Sequence, residues 1–273
     1  MTFQPEAIRA FEHAGWQRAA SRYEATFAHA TARYIEPLLE VACVAAGRRV
    51  LDVACGPGQL AAAAARRGAR VHALDFSAAM VRIARDANPG IVVSEGDAER
   101  MPYADEQYDA VVSSFGMHHV PRPEMALAEC RRVLVPGGIV GFTVWAAPAE
   151  NIAWKLIFDA IDRHGDRSAA RAFPPSGALN QIDHCVRALE GTGFAAVTGE
   201  IARATWILPD GQALVAALSA GTVRMAALLD AQTPQALSAI VADIDRRAER
   251  YRQDGRLALP IAAVLASGRK PAP

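Results

Sequence analysis

The sequence predicts an α/β fold in which a doubly wound, mostly parallel sheet of seven strands carries helical lid elements. Short apolar runs alternate with helical segments between residues 49 and 145, and strands that are separated by helices pair in parallel. The first run ends in a turn of small residues that opens directly into an alanine-rich helix. This order of strand, glycine turn and helix brings backbone N–H groups and a helix N-terminus close to a ligand.

The pattern divides the chain into three predicted parts. Residues 1–46 are expected to form a helical lid, and residues 47–146 a ligand-binding core. Residues 147–273 are expected to combine helical insertions that cap a substrate with the last two strands of the sheet. In a sheet of this kind, ligands bind at the carboxyl ends of the strands, beside the first strand where the strand order reverses.

The core elements follow from alternation of apolar runs with capped helices. The helix after the first strand ends where Gly68 supplies a C-terminal cap, and Ser77 is a suitable N-cap for the helix after the second strand. Helix and turn signals separate the later strands in the same way. Five core strands are predicted at residues 50–54, 71–75, 91–94, 108–113 and 139–145.

The amino-terminal flank, residues 6–46, has a helical pattern. Its aromatic residues Tyr23, Phe27 and Tyr34 recur at helical spacing, which is typical of core packing. The alternative is a lid in which Trp16, Tyr23 and Phe27 face a ligand. The sequence leaves both interpretations open.

The carboxyl-terminal flank is predicted to be helical over residues 151–192 and 210–254, with an irregular break at residues 173–177. Two more strands are predicted at residues 194–208 and 257–267. Pro260 lies in the second of these strands. Because proline cannot donate to a ladder, it suits the start of a strand or an edge position.

Composition and charge argue against several classes of function. The chain has 29 Lys and Arg against 29 Asp and Glu, so a net charge of zero gives no footprint for nucleic acid or an anionic membrane surface. No apolar run reaches the roughly 18 residues that span a bilayer, and no secretory signal is evident. A cytoplasmic protein without membrane insertion is therefore expected. The four cysteines are scattered, so no metal site is expected: Cys43, Cys55, Cys130 and Cys185. No pattern indicates an oligomeric state.

The glycine turn by itself leaves two ligands open. Gly56-x-Gly58-x-x-Ala61 fits the dinucleotide fingerprint, and Asp75 lies near the distance that a ribose-binding acid requires, so a nicotinamide cofactor is one interpretation. Three features argue against it. Asp52 lies inside the first strand, where a dinucleotide site has an apolar residue. A second acidic loop, Gly96-Asp97-Ala98, follows the third strand, and the run Pro136-Gly137-Gly138 precedes the fifth.

At these residues the sequence resembles the class I S-adenosylmethionine-dependent methyltransferases, which have a Rossmann-like fold. More narrowly, it resembles the small-molecule group that includes the menaquinone and ubiquinone C-methyltransferases. The resemblance is close over residues 48–145. Asp52-x-Ala54-x-Gly56-x-Gly58 corresponds to the first motif of the family, with alanine in place of its first glycine. The later motifs correspond to residues 74–80, 95–99, 109–114, 116–120 and 131–138.

The resemblance implies S-adenosyl-L-methionine as the cofactor and S-adenosyl-L-homocysteine as its product. The implied cofactor-binding residues are Asp52, Ala54, Gly56, Gly58, Asp75, Phe76, Met80, Asp97, Ala98 and Ser114. In this interpretation Asp52 helps hold the amino-acid end, Asp75 accepts from the ribose hydroxyls, and Asp97 accepts from the adenine amino group. Strand-end solubility or turn capping is the alternative role for Asp75 and Asp97.

The chemistry that follows is methyl transfer to the oxygen or carbon of a small, largely apolar molecule. If the nucleophile is a hydroxyl, His118 or His119 is a candidate general base; the alternative is that the pair only shapes its loop. Arg224 is either an anchor for the acceptor or a solvated helix residue. Aromatic residues are expected around the acceptor: Trp145, Trp154, Phe158, Phe173 and Trp206.

Two other functions remain open. One is a protein of this fold that binds S-adenosylmethionine or S-adenosylhomocysteine without transferring methyl, as a scaffold or a cyclase. The other is an NAD-dependent oxidoreductase, since the fingerprint is formally satisfied.

Overall fold

The computed structural model describes residues 4–170 and 179–272. Phe173 and the predicted break at residues 173–177 lie outside the described residues. The strands are β1 (Arg49–Val53), β2 (Arg70–Asp75), β3 (Val92–Glu95), β4 (Tyr108–Ser114), β5 (Leu134–Trp145), β6 (Ala195–Leu208), β7 (Arg252–Gln253) and β8 (Arg256–Arg269). All seven predicted strands are present, with boundaries that differ by a few residues.

The strands form one mostly parallel sheet in the order β3-β2-β1-β4-β5-β8-β6. Strands β1 to β5 pair in parallel, and β8 runs antiparallel between β5 and β6. The predicted count of seven strands was one too low, because the two-residue strand β7 pairs with the start of β8. That strand is too short to show alternation, which is why sequence periodicity does not reveal it.

The helices are α1 (Pro5–Thr26), α2 (Ala28–Thr31), α3 (Ile35–Val41), α4 (Gln59–Arg66), α5 (Ala78–Ala87), α6 (Pro123–Val133), α7 (Ile152–His164), α8 (Ile182–Gly191), α9 (Gly211–Gly221), α10 (Arg224–Asp230) and α11 (Pro234–Ala248). The two predicted caps are confirmed. The Ser77 hydroxyl accepts from the Met80 N–H, and Gly68 follows α4 with φ of 81°.

Both faces of the sheet are covered. Alternate residues of β1 point to opposite sides: Val50 packs in the core beneath α3, α4 and α5, whereas Leu51 packs in the core beneath α6 and α8. A third core lies among α7, α9, α10 and α11 and includes Phe27, Trp145 and Trp206. The lid and cap roles assigned to residues 1–46 and 147–273 stay predictions.

Pro260 lies in the middle of β8, at a local edge. Its register partner is Thr205 of β6, whereas the pairing of β8 with β5 begins only at Ala263. The neighbouring strand on the other side has therefore ended before Pro260 is reached. The prediction of an edge position is confirmed, and the missing N–H leaves no gap in the ladder.

Among the described residues, no single helix is both long enough and apolar enough to cross a membrane. Helices α9 and α10 pass that test only as a pair, with a bend of 116° between them. Leu214 and Leu218 of α9 are completely buried in the third core. Their packing explains the apolar composition of this pair.

Candidate functional site

A cavity opens at the carboxyl ends of β1, β2 and β4, where the strand order reverses. Its volume is about 990 Å³, counting the open mouth, which is within the range of small-molecule sites. Every predicted cofactor-binding residue lines it except Gly58. Gly58 instead begins α4 with φ of 86°, and a Cβ there would lie 2.9 Å from the Asn88 side chain and 3.2 Å from Ala84 of α5. Its small size serves the packing of α4 against α5.

The first wall of the cavity is the turn after β1, which is tied to the end of β2. The Asp75 carboxylate accepts from the Gly56 N–H at 2.8 Å and from the Ser77 N–H at 2.9 Å. Burial raises the pKa of Asp75 to about 6, although these amides and His13 act in the opposite direction. The carboxylate is held in one orientation at the cavity surface.

Asp52 lines the same wall and is 1% exposed. Neither of its carboxylate oxygens has a hydrogen-bond partner among the described residues. Burial raises the pKa of Asp52 well above its usual range; the Ala61 N–H at the start of α4 opposes this effect and the charge of Asp75 adds to it. A buried carboxylate without a partner is costly, so it marks a place for a cationic or hydrogen-bond-donating ligand group.

The far wall is the loop after β3, which α1 covers. Asp97 accepts from the Glu99 N–H at 2.9 Å, and its other oxygen pairs with the guanidinium of Arg9 from α1. Arg9 also pairs with Glu99 at 2.7 Å, and Arg122 contacts Glu99 at the same distance. Charge pairs that join distant segments therefore hold the start of α1 over this end of the cavity.

The two histidines differ in position. His119 lines the cavity, and its Nδ1 lies 3.0 Å from the carboxylate of Glu12 in α1. The ring of Trp16 meets His119 edge-on at 5.0 Å. His118 does not line the cavity, and its Nδ1 has no partner among the described residues. Burial, followed by the charges of His119 and Arg224, lowers the pKa of His118 well below its usual value.

Aromatic and aliphatic residues form the remaining wall. Trp16, Tyr23, Thr31 and Ile35 line the cavity beside Phe115. The Tyr23 and Thr31 hydroxyls lie 3.0 Å apart, and burial raises the pKa of Tyr23 to about 12. The lid interpretation of the aromatic stripe therefore matches the positions of Trp16 and Tyr23.

Other predicted lid residues lie in the core. Phe27 is 3% exposed, and its ring contacts the rings of Trp145, Trp154 and Trp206. These three tryptophans and Phe158 pack in the third core. None of them lines the cavity. Their expected place around the acceptor was wrong, because they pack with α7, α9, α10 and α11 in the third core.

Sequence reasoning missed Arg9 and Glu12 and misjudged Arg224. Arg224 is neither a solvated residue nor an anchor on the cavity wall: its Nε lies 2.5 Å from Glu12. Glu12 gave one signal, since it shares a buried face of α1 with Ile8 and Gly15 at helical spacing. An acid on a buried face requires a partner. Arg9 gave no comparable signal.

Comparison with known proteins shows which family the central part of the chain resembles. Residues 51–142 match the family model described as a methyltransferase domain. This match covers the central strands of the sheet and their connections, not the two flanks. The predicted resemblance to class I S-adenosylmethionine-dependent methyltransferases is thereby confirmed, and it supports S-adenosylmethionine as the cofactor.

Two curated relatives extend the comparison. The demethylmenaquinone methyltransferase of Renibacterium salmoninarum is 42% identical over 108 residues, which are 40% of this chain and 46% of that protein. The ubiquinone/menaquinone biosynthesis C-methyltransferase of Cupriavidus metallidurans is 36% identical over 136 residues, which are 46% of this chain and 56% of that protein. The chain thus spans about half the length of the curated relatives it matches.

Among solved structures, the [4+2]-cyclase SpnF has a TM-score of 0.52 at 22% identity, with 88% of this chain and 82% of SpnF covered. At this identity the likeness concerns the fold alone. It extends the shared architecture well beyond the methyltransferase domain, over both flanks.

Proposed function

We propose that the chain transfers a methyl group from S-adenosylmethionine to a small, largely apolar molecule, at oxygen or carbon. The observation that carries the proposal is the row of three acids around one cavity. Asp52 in β1, Asp75 at the end of β2 and Asp97 just after β3 line it together. Three acceptors in a row suit a ligand that carries donors along its length.

The chemistry of these groups fits the cofactor part by part. The two unpartnered oxygens of Asp52 suit the ammonium of the amino-acid end, which would also offset a buried negative charge. Asp75, already fixed by two backbone amides, retains acceptor capacity for the ribose hydroxyls. Asp97 and Ala98 suit the adenine edge, while Phe76 and Met80 supply apolar contact for its faces.

When bound, the cofactor supplies a methyl group on a positively charged sulfur, which is already activated for displacement. What the protein must add is approach geometry and a dry site. Ser114, the last residue of β4, and Phe115, which follows it, lie on the cavity wall, as do Trp16 and Tyr23. These positions suit a flat, apolar acceptor held beside the methionine end.

The names of the curated relatives favour one acceptor class. Both act, by name, in menaquinone or ubiquinone methylation. A quinol-type acceptor is flat and largely apolar and carries hydroxyl groups, so it agrees with the aromatic wall and with His119 beside it. The choice of a quinol and the cytoplasmic location remain proposals for this chain.

One alternative has a specific observation in its favour. A [4+2]-cyclase shares the fold, so a protein built like this one need not transfer methyl. The nicotinamide alternative loses its support, because the fingerprint residues lie inside the methyltransferase domain.

Two measurements test the proposal. Isothermal titration is expected to detect binding of S-adenosylhomocysteine and none of NADH; binding of NADH alone would contradict the cofactor. Release of S-adenosylhomocysteine is then followed with reduced 1,4-naphthohydroquinone, simple phenols and carboxylic acids. Turnover with the hydroquinone supports methyl transfer, whereas binding without any turnover supports the scaffold or cyclase function.

A further inference from the structure

A buried carboxylate lies directly behind the histidine on the cavity wall. The Glu12 side chain is completely buried, and it joins three segments that are far apart in sequence. One oxygen lies 3.0 Å from the His119 Nδ1 and the other 2.5 Å from the Arg224 Nε. Because Glu12 does not line the cavity while His119 does, the Nδ1 edge of the ring turns inward to the protein.

The charge state of Glu12 fixes which group donates. Burial alone would raise the pKa of Glu12, but His119 and Arg224 outweigh it and hold the pKa below its usual value. An ionised carboxylate only accepts, so in the neutral form of the His119 ring the single N–H must lie on Nδ1. The opposite nitrogen, Nε2, is then an unprotonated acceptor on the edge of the ring that faces the cavity.

Two other side chains lie close to His119, and neither forms a hydrogen bond with Nδ1 in the part of the chain that the structure describes. The His118 ring lies 4.1 Å away between centroids, and burial keeps it neutral. Trp16 contacts the ring edge-on, and Arg224 reaches it only through Glu12. Among the described residues, Glu12 is thus the acidic side chain that forms a hydrogen bond with this histidine.

We propose that Glu12 is a positioning residue that holds His119 in the Nδ1–H tautomer, so that Nε2 accepts the hydroxyl proton of a phenol-type acceptor. This inference rests on the proposed function. As the acceptor's oxygen or adjacent ring carbon bonds to the methyl carbon, the methyl–sulfur bond breaks and its electron pair remains on sulfur. The hydroxyl proton passes to Nε2, and Glu12 stabilises the resulting imidazolium. For attack through carbon, the ring hydrogen leaves afterwards as a proton to solvent.

The proton position can be measured without cofactor or acceptor. Long-range ¹H–¹⁵N correlation spectra of ¹⁵N-histidine-labelled protein, recorded well above the ordinary histidine pKa of about 6.5, report which nitrogen is protonated. His119→Gln assigns the signal among the seven histidines. The native protein is expected to show Nδ1–H. Glu12→Met should shift His119 to the Nε2–H form that free imidazole favours, whereas Glu12→Gln retains a carbonyl acceptor and should keep Nδ1–H.

Matched variants keep the test decisive. Glu6→Met changes an exposed acid on the same helix and should leave the tautomer unchanged. If Glu12→Met unfolds because Arg224 is left unpaired, the double variant Glu12→Met/Arg224→Met removes both charges and is read instead. A native Nε2–H tautomer, or a tautomer unchanged when Glu12 becomes methionine, would overturn the proposal.

Turnover of 1,4-naphthohydroquinone distinguishes a positioning role of Glu12 from a merely structural one. Glu12→Met is expected to lower kcat about 100-fold, as for loss of general-base catalysis, with KM for S-adenosylmethionine within about twofold of native. Glu12→Gln should recover part of kcat. An unchanged kcat in Glu12→Met would overturn the role. Absence of S-adenosylhomocysteine binding by the native protein would instead contradict the proposed function, since the tautomer is read independently.

Discussion

In the turn after β1, at the proposed cofactor end of the cavity, the Asp75 contact is short in sequence; around His119, at the proposed acceptor end, the contacts are long. The Asp97 loop, at the far side of the cofactor end, is likewise tied to the distant helix α1, through Arg9. Asp75 bonds to Gly56, 19 residues away. Glu12 bonds to His119 across 107 residues and to Arg224 across 212. The turn after β1 is assembled when β1 and β2 pair, whereas the surroundings of His119 exist only when α1 has docked against the rest of the chain.

Substitutions at the two ends are therefore expected to change different properties of the protein. A change at the cofactor end is expected to alter ligand affinity with little effect on folding, because the surrounding turns belong to the central strands. A change in the docking of α1 is expected to alter stability and the geometry around His119 together. Variants can therefore separate the two ends by comparing affinity with the free energy of unfolding.

The largest effect is expected at Asp75. Asp75→Ala removes the proposed acceptor for two ribose hydroxyls, and charge-assisted hydrogen bonds are worth about 1.5–3 kcal/mol each. Affinity for S-adenosylhomocysteine, measured by isothermal titration, should fall about 100-fold or more. Asp86→Ala on the exposed side of α5 serves as the control. An unchanged affinity would mean that the ribose assignment is wrong.

The docking of α1 is tested next, at Gly15. A Cβ on this residue would lie 2.2 Å from a methyl carbon of Val223, so Gly15→Ala should lower the free energy of unfolding by about 2 kcal/mol. Urea denaturation measures the loss. Gly90→Ala is the matched control, since a Cβ there meets nothing within 4 Å. The second substitution Val223→Ala should restore part of the stability; if it restores nothing, the steric explanation fails.

The affinity for S-adenosylhomocysteine is expected to depend on pH, and this effect is smaller than those of the two substitutions above. Because the pKa of Asp75 is about 6, the carboxylate is mostly protonated at pH 5, and affinity for S-adenosylhomocysteine should fall about tenfold there. The pKa is raised above the unfolded value, so protonation of Asp75 between pH 6 and 4 stabilises the ligand-free fold. Affinity and this part of the stability therefore change in opposite directions. Asp75→Asn should remove the pH dependence of binding; if that dependence persists, another group causes it.

The smallest effect is expected at Gln17, which ties α1 to the cofactor end. Its side-chain oxygen accepts from the Ala79 N–H at 2.8 Å and from the Ser77 hydroxyl at 3.0 Å. Gln17→Ala should cost about 1 kcal/mol of unfolding free energy and weaken cofactor affinity a few-fold at most. Gln181→Ala, at an exposed position that makes no cap bond, is the comparison. Equal stability of the two variants would show that this link contributes nothing.

Sequence reasoning predicted the sheet and brought together most of the residues that line one side of the cavity, because their signals are local. An apolar run, a small-residue turn and an acid at a strand end each lie within a few residues, so Asp52, Asp75 and Asp97 could be found and assigned to one edge of the sheet. Gly58 does not line the cavity, and a Cβ at this position would contact Asn88 and Ala84. The turn pattern in a sequence does not show whether a glycine is needed for helix packing or for the approach of a ligand.

The acceptor end could not be predicted in the same way. Trp16 and Trp206 have the same chemistry, yet one lines the cavity and the other is 3% exposed in the core. Which of them meets the ligand depends on how α1 and the helices after β5 pack, which no local pattern encodes. The partnership of Glu12 and Arg224 depends on the same packing.

The turn after β1 restricts which amino-acid substitutions the chain tolerates at positions 54 and 116. Ala54 has φ of 54°, a conformation that costs a side chain about 1 kcal/mol, and a Cβ on Gly116 would lie 2.5 Å from the Ala54 methyl carbon. Ser113, the other close neighbour, can turn its hydroxyl aside, but the Ala54 methyl is fixed to the backbone. A side chain at position 116 is therefore expected to destabilise the fold less when glycine has first replaced Ala54, so the order of the two substitutions matters.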